Sequence, residues 1–137
     1  MSLEGDAQHE ISVHWGLHAP EIANRSWADP DDAAEWGAYG IAALLVDRAT
    51  GCTIAARSRK GTGFDFWLRD KKTDGVLFQD AGRLEVSGIT RGSRRALLNR
   101  VRAKEKQVQR LGTCMASMVA VVEFGTPQAH VTTHAKH

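Results

Sequence analysis

From Met115 to Phe124 the chain reads Met-Ala-Ser-Met-Val-Ala-Val-Val-Glu-Phe, apolar at odd and even positions alike. A strand with one wet face alternates, so this run fits a strand covered on both sides. Two amphipathic segments can act as covers. Asp29-Pro30-Asp31-Asp32 combines an N-cap acceptor, a proline with preset φ and two acids at the positive end of the dipole, which predicts a helix over 30–47. Its stripe is Ala34, Ala38, Ile41, Leu44 and Leu45, and it closes near Thr50-Gly51. Ser93 caps a second helix over 94–111 with the stripe Leu97, Leu98, Val101, Val108 and Leu111, ended by Gly112.

Between the helices the period changes to two. Residues 52–57 form a β-capable run, Lys60-Gly61-Thr62-Gly63 a turn, and Phe64-Asp65-Phe66-Trp67-Leu68 a second strand with Phe64, Phe66 and Leu68 on one face. Charged residues 69–75 read as a loop. Residues 83–89 form the third strand, with a backward extension through Val76-Leu77-Phe78 as an option; Leu84 and Val86 face the core and Arg83, Glu85 and Ser87 the other side. The order helix, three strands, helix, strand predicts an α/β protein with a mixed sheet, the core spanning 29–125. Residues 1–28 read as an N-terminal extension in which Ile11 to Trp15 alternates like an edge strand, and 126–137 as a tail.

Composition narrows the class. The 137 residues are 42% hydrophobic and 25% charged, the balance of an ordinary globular domain. The apolar runs are too short to span a bilayer, and the start lacks the basic and apolar regions of a signal peptide, so a cytoplasmic protein is expected. Cys52 and Cys114 are then reduced thiols. His130, His134 and His137 cluster in the tail and suggest only a weak metal site.

Charge is strongly polarised. Residues 1–35 hold eight acids against Arg25 alone, whereas Arg91 to Arg110 holds eight bases and one acid, Glu105. Arg94, Arg95, Arg100, Arg102, Lys104 and Lys106 are therefore candidate nucleic-acid contacts, since arginines fork onto phosphate oxygens and lysines act as point charges. A solvated helix face would look the same. Trp67, two residues from Asp65 and on its face of the strand, is a candidate for stacking on a base. Lys60-Gly61-Thr62-Gly63 lacks the spacing of a phosphate loop and precedes a strand.

Asp65 and Glu85 carry the most chemistry. Each is an acid in an otherwise apolar strand, opposite that strand's hydrophobic set, and the strands are consecutive. Carboxylates brought together repel unless a proton or cation lies between them, and a hard ion such as Mg²⁺ is the usual resolution. Such an ion can activate water and stabilise charge on a phosphodiester oxygen. The plainer alternative is that both acids face solvent, paired with Arg69 or Arg83.

The element order, with acids at Gly63-Phe64-Asp65, at Glu85-Val86-Ser87 and at Glu35 on the first helix, resembles the restriction-endonuclease-like PD-(D/E)XK nuclease fold over about residues 30–124. The resemblance implies Glu35, Asp65 and Glu85 as Mg²⁺ ligands, with Asp65 and Glu85 catalytic. It also implies a lysine two residues after Glu85 that handles the attacking water. Ser87 stands there instead, and Phe64 replaces the proline before Asp65, so the helper would come from elsewhere: Lys60 first, with Lys71 and Lys72 as further candidates. Two functions compete. One is a Mg²⁺-dependent nuclease, which at this size would need a homodimer or a second chain for specificity. The other is a catalytically inactive α/β protein binding nucleic acid or a protein partner.

Overall fold

A computed structural model describes residues 2–5, 9–10, 12, 28–71, 82–112 and 116–134. The elements are β1 (Ser2–Gly5), β2 (His9–Glu10), α1 (Pro30–Ala49), β3 (Cys52–Arg57), β4 (Phe66–Asp70), β5 (Gly82–Ile89), α2 (Arg94–Gln109), β6 (Ser117–Glu123) and β7 (Gln128–His134). They form an α/β protein around one mixed sheet of order β2-β1-β7-β6-β5-β4-β3. β5 and β6 are parallel, joined through α2, and β4 and β5 are antiparallel.

Both helix starts follow the expected chemistry. Asp29 Oδ1 accepts from Asp31 N at 2.8 Å and Asp32 N at 3.3 Å, and Ser93 Oγ accepts from Ala96 N at 3.1 Å. At the far end of α1, Thr50 Oγ1 donates to the Val46 carbonyl at 2.6 Å, which satisfies one of the last orphan acceptors.

The helices cover opposite faces of the sheet. Ala38, Ala42, Leu45 and Val46 of α1 pack with Leu84, Val86, Ala120 and Val122, whereas Leu97, Val101 and Val108 of α2 pack with Val119 and Val121. β6 therefore buries both of its faces, as its unbroken apolar run requires. Leu44 departs from the expected stripe: it is 56% exposed, and Tyr39 and Val46 are buried in the core instead. A strip wider than five residues was needed to cover the sheet, and its centre lies nearer Tyr39–Ala42–Val46.

Three sequence expectations are corrected. The residues read as a tail form β7, which pairs antiparallel with all of β6 from Ser117↔His134 to Glu123↔Gln128. β6 is central and needs a partner on each side, which its Thr/His-rich neighbour supplies through the backbone. The second strand starts at Phe66, not Phe64, and Phe64 leaves the Phe66 and Leu68 face to meet Trp67 edge-on with ring centroids 4.8 Å apart. Finally, Ser2–Gly5 is a strand parallel to β7, an arrangement its weak local propensity does not announce. The extension through 76–78 lies outside the described residues, as does the edge-strand assignment to 11–15 apart from Ser12, which is in no strand.

Gly88 sets the spacing between α1 and β5. A Cβ there would run into the carbonyl of Ala34, which is backbone and cannot swing aside. Gly88→Ala should therefore cost about 1–3 kcal/mol by forcing the layers apart, read as a lower urea midpoint with an unchanged slope. An unchanged midpoint would show that α1 does not need this close approach.

Candidate active site

The β4–β5 register pairs Phe66 with Leu84 and Trp67 with Arg83, and one step further along it Asp65 stands opposite Glu85. Asp65 lies just ahead of β4, where its N–H donates to the Leu84 carbonyl at 2.9 Å and its Oδ2 accepts from Val86 N at 2.8 Å. Anchored twice on the β5 backbone, the carboxylate has little freedom. Its Oδ1 is 3.3 Å from the Tyr39 hydroxyl, which donates its single proton to Glu35 Oε1 at 2.5 Å. Burial, the Glu35 hydrogen bond and the two carboxylates hold the Tyr39 phenol well above its ordinary range, so it stays a donor.

Glu85 is the most constrained of the three acids, with a side chain 4% exposed. Burial pushes its carboxyl up to about 7, and the Asp65 charge adds to this; the Lys104 ammonium opposes both without cancelling them. Lys104 Nζ lies 2.5 Å from Glu85 Oε1, and Gln107 Nε2 reaches the same oxygen at 3.2 Å. Both come from α2. Four residues before Lys104 on that helix, Arg100 donates to Ser87 Oγ at 2.8 Å. The position where the resemblance calls for a lysine is thus met by Arg100, and Lys104, one helical turn further along, meets Glu85 instead.

Glu35, Asp65, Glu85, Arg100 and Lys104 line one open cavity of about 590 Å³. The sequence therefore names the three acids that the fold brings together. Among the described residues, however, no three acids, histidines or cysteines close tightly enough to make a ready metal cage. The donor set is all oxygen and includes a like-charged, largely buried pair, which suits a hard divalent ion held by one or two carboxylates with water completing the shell.

The other candidates separate. Lys60 lines a neighbouring cavity that also reaches Asp65, Glu85 and Gln107 of α2, so it stands in the next cleft along and not with Lys104. Lys71 is engaged with Asp47, Nζ to Oδ1 2.6 Å, and Lys72 lies outside the described residues. Arg94, Arg95 and Arg102 line a third groove on the outer side of α2, and Lys106 is exposed. The basic helix is thus two surfaces: Arg100 and Lys104 turn toward the acids, the rest away from them. Trp67 packs edge-on against Phe64 within the protein. Arg83, the partner considered for the acids, is taken by the end of α2, donating to the Leu111 carbonyl at 3.1 Å and the Gly112 carbonyl at 2.7 Å.

Sequence reasoning did not foresee Tyr39 or the placement of Lys104. The available signal for Lys104 was its i, i+4 spacing from Arg100 on the flank of the apolar stripe. No protein-family model, curated protein or solved structure matches the chain. The arrangement of side chains is what a functional reading has to rest on.

Proposed function

We propose that the chain is a Mg²⁺-dependent phosphodiesterase acting on nucleic acid, built like the PD-(D/E)XK nucleases, with Lys104 supplying the helper ammonium that Ser87 cannot. The observation that carries this reading is the contact of Lys104 Nζ with Glu85 in a cavity that both share with Asp65 and Glu35. Asp65 and Glu85 would hold the ion, with Glu35 behind Tyr39 as an outer acceptor. When bound, Mg²⁺ supplies positive charge for a phosphodiester oxygen and lowers the pKa of water.

The chain's own groups do the rest. Lys104 can orient a water molecule or neutralise a phosphate oxygen, and Arg100 offers a second charge one turn away. Tyr39 fixes Glu35 through its hydroxyl proton and the β5 backbone fixes Asp65, so these acids are positioned before any ligand arrives. A second reading, a non-catalytic nucleic-acid-binding protein, has one observation in its favour: Lys104 already compensates the charge of Glu85. No helix among the described residues is long and apolar enough to cross a membrane.

Metal binding separates the two. A few-ligand oxygen site has roughly millimolar strength, so Mg²⁺ or Mn²⁺ at ten times that level should add about 1.4 kcal/mol and raise the melting temperature by roughly 3–5 °C. Asp65→Asn should remove the rise. A wild-type protein indifferent to both ions would leave the binding-protein reading.

A further inference from the structure

The acids are not at the bottom of one pocket. They lie where two open clefts of about 590 Å³ and 620 Å³ adjoin, and Glu35, Asp65 and Glu85 line both. Each cleft has its own cations. Arg91, Arg100 and Lys104 belong to the first, and Arg57, Arg59 and Lys60 to the second. A free phosphate or a mononucleotide would fill one cleft and leave the other unused. A polyanion long enough to pass the acids would use both, while its phosphates on either side avoid the carboxylates.

The second cleft is built rather than incidental. The Arg57 guanidinium lies 5.0 Å above the centre of the Trp36 ring and 5.5 Å from that of Tyr39, a cation–π contact with both rings that holds it in place. Arg59 and Lys60 sit on a turn tied down from within. Ser58 N donates to the Asp65 carbonyl at 2.8 Å, and Ser58 Oγ and Thr62 Oγ1 are 2.8 Å apart. Gly61 and Gly63 take φ of 89° and 84°, which glycine alone adopts at little cost. The turn that presents the cations therefore ends directly at Asp65.

Trp36 is 48% exposed beside Arg57 and one residue from Glu35. A half-exposed indole next to a guanidinium is a platform for a base, and only an unpaired base has a free face to lay on it. Resting on the phosphodiesterase reading for its chemistry, we propose that the Arg57 cleft is a second phosphate subsite. The ligand is a single-stranded nucleic acid laid past Asp65 and Glu85 from one cleft to the other, with a base against Trp36.

The test is fluorescence anisotropy of a labelled oligodeoxythymidylate with the full chain in EDTA, over a salt series. Binding in EDTA needs neither metal nor turnover. Wild type should bind, and unlabelled duplex of equal length should compete less well than single strand. Arg59→Gln/Lys60→Gln should weaken binding roughly tenfold and lower the salt slope by about 0.7 for each phosphate the variant no longer neutralises. Arg57→Gln and Trp36→Leu should each weaken it comparably. Because Arg57 and Trp36 also pack, the turn variant, which touches no packed side chain, decides if either of those fails to fold. No wild-type binding, an unchanged slope in the turn variant, or equal competition by duplex would overturn the proposal. A parallel assay with Mg²⁺ keeps the two claims apart. Intact binding behaviour without cleavage removes the phosphodiesterase and keeps the strand path; cleavage with binding unchanged in the turn variant removes the strand path.

Discussion

Lys104→Met should lower Mg²⁺-dependent cleavage of single-stranded DNA by at least about a hundredfold, the usual loss when a group that orients water or a transferred proton is removed. Strand binding should fall far less, because Arg100 and the Arg57 cleft remain. The substitution also strips Glu85 of its counter-charge. Glu85 already has its carboxyl raised from 4.5 to about 7, so its ionised form opposes folding: the stability is present below about pH 4.5 and lost as pH rises through about 7. Without Lys104 that loss deepens, and the variant should be about 1–3 kcal/mol less stable than wild type near pH 8, with a smaller gap near pH 5. Lys104→Met/Glu85→Gln removes the stranded charge and should recover stability without recovering activity. Recovery of both would make the ion pair merely structural.

Glu123→Ala should be the most damaging single change to the fold outside the hydrophobic core, on the order of 3–5 kcal/mol by urea unfolding. Glu123 is 0% exposed at the end of β6, yet it is well served. Its oxygens accept from Gly92 N at 3.1 Å, Gly125 N at 2.6 Å and Thr126 N at 2.9 Å, with Gln128 Nε2 at 3.4 Å. Burial favours the protonated acid, but these donors outweigh it and hold the carboxyl below its ordinary range. A depressed acid gives stability that is present above its unfolded value and lost as pH falls below it, so wild type should weaken on acidification and Glu123→Gln should flatten that limb. The effect reaches the site. Glu123 ties the turn at Gly92 to the β6–β7 turn, and the neighbouring Thr90 and Arg91 line the cavity that Glu35, Asp65 and Glu85 share. An acid limb unchanged in Glu123→Gln would show that this carboxylate does not ionise on folding as described.

How far these features could be read from residues alone differs by element. α1, α2 and β6 announce themselves because caps and a continuous apolar run are local signals, and local chemistry decides them. β7 does not. Gln-Ala-His-Val-Thr-Thr-His becomes a strand because β6 leaves a row of backbone groups to be paired, a tertiary demand invisible in its own composition. The acids were legible for a related reason: a carboxylate interrupting an apolar strand is conspicuous, and consecutive antiparallel strands leave few registers. Lys104 was visible only as one charge among eight on a basic segment. Its role depends on the rotation of α2 about its axis, which Leu97, Val101 and Val108 fix by burying against Val119 and Val121. That packing turns Arg100 and Lys104 toward β5 and Arg95 and Arg102 outward.

The central claim is that Asp65, Glu85 and Lys104 form a metal-dependent hydrolytic site, and the most direct measurement is cleavage of end-labelled single-stranded DNA by wild type in Mg²⁺ or Mn²⁺ and in EDTA. Metal-dependent cleavage that is lost in both Asp65→Asn and Lys104→Met, each folded by its melting curve, is the predicted result. Wild-type protein that leaves the strand intact in both ions, or cleavage that persists in either variant, would contradict the account.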